Sequence, residues 1–175
     1  MDVDVDVDVK APNSDPIELA RQNWVAAGWA DAADGMALVT TIMRVQQLLL
    51  AEIESTLRPF GLTFARFELL RLLAFTRRGE LPAGKIGERL QIHPASVTSA
   101  VQRLVEAGLA DRRANPADGR GVLVAITPRG RDLVERCTEL LNAGVFAPLS
   151  IDGDRHDVVI SSLRTLRQSL GDLQI

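Results

Sequence analysis

Tyrosine is absent from this chain, cysteine occurs once and histidine twice. A single thiol, Cys137, excludes an internal disulfide and fits a reducing compartment. With only His93 and His156 beside it, no thiolate–imidazole cluster can hold zinc, and no carboxylate spacing suggests another metal. No cofactor is expected. No uninterrupted apolar run approaches the roughly 20 residues that span a bilayer. The longest, around Leu48-Leu49-Leu50-Ala51, ends at Glu52. The acidic start is unlike the basic start of a secretory signal, so a cytoplasmic protein without membrane contact is expected. Catalytic signatures are missing too. His156 sits beside Asp157 without a nucleophile motif, and no glycine-rich phosphate loop occurs, so no enzyme is expected.

What is present is ordinary globular material, 46% hydrophobic and 25% charged over 175 residues. The net charge of −3 argues against a nucleic-acid partner only until its distribution is read. Residues 58–131 hold 13 Lys and Arg against 6 Asp and Glu, whereas the rest holds 7 against 17. A basic centre between acidic flanks is the pattern of a DNA-reading module carried on a neutral or acidic scaffold.

Asp-Val repeats four times over residues 2–9, and pairing those strands would line up four carboxylates, so residues 1–15 read as a disordered acidic tail. Asp15-Pro16 then supplies an N-cap and a first-turn proline for a helix over 17–30. Three- and four-residue apolar steps predict further helices over 34–57, 64–79, 83–90, 94–107, 128–141 and 152–170. Between Gly108 and Thr127 the period shortens to two. Leu109, Val122, Val124 and Ile126 predict a two-stranded hairpin with its loop at 115–120. The expected fold is mainly α with a small β-hairpin wing. A winged helix-turn-helix lobe (58–131) lies between N-terminal helices (16–57) for dimerisation and a pocket, and C-terminal dimerisation helices (132–175).

The helix after Gln91-Ile92-His93 carries the functional reading. Once Val97, Val101, Leu104 and Val105 face inward, the opposite stripe is Ala95, Thr98, Ser99 and Gln102, small or polar and uncharged. A helix entering the major groove needs such a face. Short side chains admit the backbone, and hydroxyls and amides meet base edges. Ser96 and Arg103 stand at the margins, placed for phosphates. In the hairpin, Arg112 and Arg113 occupy the outgoing strand, and Arg120 lies where it can enter a minor groove with Asp118 bracing its guanidinium.

The chain resembles the MarR (multiple antibiotic resistance regulator) family in several stretches. They are Gly61-Leu62-Thr63, His93-Pro94-Ala95-Ser96-Val97-Thr98, Leu104-Val105-Glu106-Ala107-Gly108-Leu109 and Asn115-Pro116-Ala117-Asp118-Gly119-Arg120, the last followed by residues 124–130. The resemblance implies a homodimer with intertwined terminal helices, two winged lobes on neighbouring segments of double-stranded DNA, and a pocket for a small effector. It places DNA contacts near Pro94, Ala95, Ser96, Thr98, Ser99, Gln102, Arg103, Asp118 and Arg120. The additional N-terminal helix resembles that of members binding urate or other aromatic anions through a pocket tryptophan. Trp24, Trp29, Met43, Arg44, Phe64, Phe67 and Arg71 are therefore the candidate residues for an aromatic or anionic effector. Peroxide-sensing relatives use a cysteine near the chain start with tyrosines, a pattern this chain lacks. The expected function is a sequence-specific, ligand-responsive repressor on an inverted repeat; the alternative is a low-specificity DNA-compacting or scaffold protein.

Overall fold

The computed structural model describes residues 15–115, 118–149 and 155–172, and of residues 118–120 only the backbone. The Asp-Val tail falls outside the described residues. The chain divides into two compact units at residues 51 and 52.

In the first unit, α1 (Pro16–Ala26) begins as expected, with the Asp15 carboxylate accepting from the Ile17 N–H at 2.9 Å. It ends four residues early because Gly28 turns left-handed at φ +89°, which glycine adopts without strain. Helix α2 (Ala30–Leu57) correspondingly starts earlier than expected, its entry held by the Ala32 N–H donating to the Trp29 carbonyl at 3.1 Å. Arg21 ties the two helices. It grips Glu18 with two nitrogens at 2.9 Å each and reaches Asp34 at 3.3 Å. The guanidinium hydrogen bonds, joined by one from Gln22, hold the Glu18 carboxyl down at about 2.

Helix α2 corrects one expectation. Uninterrupted runs are short, yet the segment 30–60 has a mean hydropathy of 1.3 over its most apolar 18-residue window, enough by length and composition to cross a membrane. Its runs are broken by the single charge of Arg44 and by uncharged Thr40, Thr41, Gln46 and Gln47, which leave the average high. Leu38, Val39, Met43, Val45 and Leu48 are about half exposed within the single chain.

The second unit opens with the last turns of α2, which bury Ile53 and Leu57, and a 3-10 turn at Arg58–Phe60. Helix α3 (Phe64–Phe75) stops short of the expected residue 79 because Thr76 becomes extended. The final carbonyls are taken by the Thr76 hydroxyl, which donates to Leu73 O at 2.7 Å, and by Arg131, which donates to Ala74 O at 3.2 Å. Strand β1 (Glu80–Pro82) was not expected, since three residues show no period. It completes an antiparallel sheet ordered β1-β3-β2 with β2 (Ala110–Asn115) and β3 (Asp118–Ile126), so the wing has three strands rather than two.

Helices α4 (Ala83–Leu90) and α5 (Pro94–Glu106) meet at a turn where Gln91 is left-handed at φ 55°. Then follow α6 (Pro128–Leu141), one wide turn at Asn142–Phe146, and α7 (Arg155–Ser169). The sequence suggested a boundary at 131/132, but Val134, Cys137 and Leu141 of α6 are fully buried in one core with Leu70 and Leu73 of α3, Ile86 of α4 and Leu104 of α5. The apolar stripe of α6 thus belongs to the winged lobe. No residue of α7 is buried.

The root of the wing is a tight crossing. The Thr127 hydroxyl donates to Gly108 O at 2.9 Å and accepts from Gly130 N–H at 3.0 Å, capping α6, while Thr127 N–H donates to Leu109 O at 3.1 Å. A Cβ on Gly130 would stand 2.1 Å from Leu109 O and 3.0 Å from its carbonyl carbon. Backbone cannot yield as a flexible side chain can. Gly130→Ala should lower the unfolding free energy by about 1–3 kcal/mol in urea titrations. Gly84→Ala, whose Cβ meets nothing within 4 Å, should leave it unchanged or slightly raised.

Candidate nucleic-acid interface

Helix α5 is positioned by its buried side. Val97, Val101 and Leu104 are each at most 2% exposed, with Val105 half-buried beside them. Pro94 occupies the first turn, where a missing N–H costs nothing, and the His93 ring accepts from the Ala95 N–H at 3.2 Å. Helical geometry then fixes the outer side. Ala95, Thr98, Ser99 and Gln102 are all exposed, as are Pro94, Ser96 and Arg103.

The polar groups on this ridge are not equally free. The Thr98 hydroxyl donates to Pro94 O at 3.0 Å, leaving its lone pairs and methyl outward. Gln102 Nε2 donates to Glu106 Oε1 at 3.0 Å, and Arg103 Nη1 donates to Glu106 Oε2 at 3.1 Å. These bonds, the Gln102 amide first, hold the Glu106 carboxyl below its ordinary range. The uncharged stripe therefore ends in a carboxylate one turn beyond Gln102.

Two grooves flank the ridge. On the α3 side a depression of about 460 Å³ is lined by Thr63, Ala65, Arg66, Ala95, Ser96, Ser99, Ala100 and Arg103. Thr63 makes no capping bond to its own helix and instead accepts from Arg66 Nε at 3.1 Å, which steadies that guanidinium. On the α4 side a groove of about 620 Å³ runs along Gly84, Gly87, Gln91, Pro94 and Thr98. Sequence reasoning singled out neither Thr63 nor Arg66 as a site residue. The signal was a basic residue one turn into a helix opened by Thr63, and it becomes meaningful only when α3 lies beside α5.

In the wing, Arg112 is exposed on β2. Its neighbour Arg113 reaches to β1 and pairs with Glu80, an acid from the strand the sequence did not disclose. The backbones of Asp118 and Arg120 lie in β3; their side chains fall outside what is described. At the other end of the lobe, Arg167 and Asp172 pair with each other and both hold Gln91 at the α4–α5 turn, at 3.2 and 3.0 Å.

The candidate effector residues are divided between the units. In the first, Trp24 and Trp29 meet edge to face with centroids 5.3 Å apart, and Met43 and Arg44 are exposed. In the second, Phe67 is 4% exposed and is a core residue, stacked on half-buried Phe64 at 6.3 Å. Arg71 is engaged: it forms a two-nitrogen pair with Glu135 at 2.8 and 3.0 Å and lies 4.1 Å above the Phe75 ring. Among the described residues no group of three or more His, Cys, Asp or Glu side chains converges for a metal.

A helix-turn-helix whose second helix exposes an uncharged polar ridge, followed by a three-stranded wing, defines the winged helix-turn-helix class. Comparison with known proteins narrows this. A family model described as MarR family matches residues 60–121. The solved structure of Sco5413, a MarR family transcriptional regulator from Streptomyces coelicolor, is 46% identical, with a TM-score of 0.72, and the match covers 81% of this chain and 99% of that one. The HTH-type transcriptional repressor Rv2887 of Mycobacterium tuberculosis is 29% identical over 111 residues, 63% of this chain and 78% of that protein. A MarR mutant from E. coli complexed with operator DNA shares the fold, at a TM-score of 0.70 and 24% identity, over 77% of this chain and 96% of that one. The chain belongs to the MarR family of transcriptional regulators, a family of regulators rather than enzymes.

Its lone thiol is built into the core of the winged lobe. Cys137 is fully buried, and desolvation pushes its pKa above the ordinary thiol value. Iodoacetamide at pH 8 should modify the native protein far more slowly than the urea-unfolded chain. Equal rates would show that α6 opens readily in the native state.

Proposed function

We propose that this regulator is a homodimeric repressor whose two α5 helices enter successive major-groove segments of an inverted repeat. The observation that carries the reading is the ridge Ala95-Thr98-Ser99-Gln102, exposed and uncharged, with Arg66 and Arg103 along one margin. A ridge without charge can approach base edges closely, while the Arg66 guanidinium at its rim meets the phosphates beside the groove. In this pose Pro94, Ala95 and Ser96 lead the helix inward, Gln102 faces a base edge, and Arg112 follows the backbone. Arg120 enters the minor groove with Asp118 as its brace.

Dimerisation is supported by exposed apolar side chains on α2 (Leu38, Val39, Met43 and Leu48) and on α7 (Val158, Val159, Ile160 and Leu163). Such faces are costly in water and suited to a second copy of the chain. Two lobes related by a two-fold axis require half-sites about 34 Å apart, one turn of DNA. The repressor part of the reading is supported by Rv2887, which is named a repressor, and its DNA partner by the E. coli protein, which was captured on operator DNA.

We further propose that an aromatic anion regulates the dimer. The reading rests on the first unit, where Trp24 and Trp29 meet edge to face and Met43 and Arg44 are exposed. Regulation requires the anion to bind the DNA-incompetent dimer more tightly, since equal affinity shifts no population. Titration with salicylate or urate should quench tryptophan fluorescence and release operator DNA over the same concentration range. Quenching without release would detach the site from regulation.

The decisive experiment selects genomic fragments with the purified protein and then footprints them. One protected inverted repeat supports the proposal; uniform coating of any fragment supports a DNA-compacting protein instead. On the selected operator, Gln102→Ala and Thr98→Ala should each cost roughly 1–3 kcal/mol and blur base choice. Arg66→Ala should weaken all sequences alike and reduce the salt slope by about 1.

A further inference from the structure

We infer that Glu106 is a positioning residue for DNA recognition: it orients the Gln102 amide for base reading and holds Arg103 back from the phosphates. The inference rests on the base-reading role proposed for Gln102.

The placement of Glu106 is unfavourable on two counts. It is the last residue of α5, where the partial negative charge of the helix C-terminus disfavours a carboxylate. It also follows Gln102 by one turn on the ridge turned toward a polyanion. Only what it holds offsets these costs. One carboxylate oxygen accepts from Gln102 Nε2 at 3.0 Å, and the other from Arg103 Nη1 at 3.1 Å.

Each bond has a consequence for recognition. An unrestrained glutamine amide can present either its oxygen or its nitrogen to a given base edge. With one Nε2 proton given to Glu106, the nitrogen is fixed on the Glu106 side, leaving one N–H and the carbonyl oxygen for a base. Adenine offers that complement, N7 as acceptor and N6 as donor. Arg103, 68% exposed in its side chain and otherwise free to swing, is restrained by the second bond. A restrained guanidinium contributes less of the sequence-independent attraction that rewards every site equally. The carboxylate thus raises discrimination by limiting non-specific affinity while sharpening the specific contact.

The test uses the full-length protein, the operator chosen by selection, and variants Gln102→Ala, Glu106→Ala and Glu106→Gln, all checked for an unchanged thermal transition. Two quantities are read. One is the affinity ratio between the operator and the same duplex with the base pair facing Gln102 replaced; the other is the slope of log affinity against log salt. Glu106→Ala should reduce the ratio several-fold, toward the Gln102→Ala value, and steepen the slope by about one unit as Arg103 reaches a phosphate. Glu106→Gln keeps an oxygen acceptor for the amide but loses the charge that holds Arg103. It should retain the ratio within about two-fold while sharing the steeper slope. If Glu106→Ala keeps the wild-type ratio while Gln102→Ala loses it, the positioning role is overturned and the base-reading role stands. If Gln102→Ala also keeps the ratio, the base-reading role falls and this inference falls with it.

Discussion

The close crossing of Leu109 O and Gly130 sets the geometry of the winged lobe. Helix α5 ends at Glu106, the chain turns at Gly108, and β2 leaves from Ala110. The same few residues receive the start of α6 through the Thr127 hydroxyl. End of recognition helix, base of wing and start of α6 are therefore one joint, with the missing Cβ of residue 130 as the condition for its closure. Because α6 also buries Val134, Cys137 and Leu141 against α3, and Arg131 caps the C-terminal end of α3, the joint reaches the other side of the lobe. The angle between ridge and wing is thus fixed by packing, as the proposed simultaneous contact of two DNA grooves would require.

Charge is arranged to match. The lobe carries the basic surplus of the chain, yet the ridge is uncharged and its flanking cations are tethered rather than loose. Arg66 is held by Thr63, Arg103 by Glu106 and Arg113 by Glu80. The two ion pairs among these contribute little to stability, typically under about 1 kcal/mol each. Their value lies in restricting where a long side chain can point. A lobe whose arginines are untethered would bind any duplex well and one duplex no better.

Much of this was legible in the sequence because the governing patterns are local. Asp15-Pro16, Thr127-Pro128 and the inward set Val97, Val101 and Leu104 each declare themselves within a few residues, and the exposed ridge follows from helical period alone. What was hidden depends on segments distant in the chain. Three residues at Glu80–Pro82 carry no period, so β1 became visible only when paired to β3, and with it the engagement of Arg113. Arg66 gains meaning from α3 lying beside α5. The apolar content of α2 was understated because Arg44 and uncharged Thr and Gln break up its runs without making the helix polar. Glu106 was quoted within a family motif, but its bonds to Gln102 and Arg103 require the i,i+4 and i,i+3 geometry to be read for function rather than for helix support.

The two units meet different demands, and their compositions follow. The first unit and α7 leave large apolar side chains half exposed; the first unit carries an acidic surplus, whereas α7 holds three arginines against one aspartate. The winged lobe buries most of its large side chains, Phe75 and Leu140 excepted, and leaves a small polar ridge outside. In the proposed homodimer the spacing between the two winged lobes is set by protein contacts, and the separation of the two α5 helices is the quantity that a ligand, or a change in the dimer contact, would alter. A change of an ångström or two in that separation would matter, because both ridges must register with a duplex whose groove spacing is fixed.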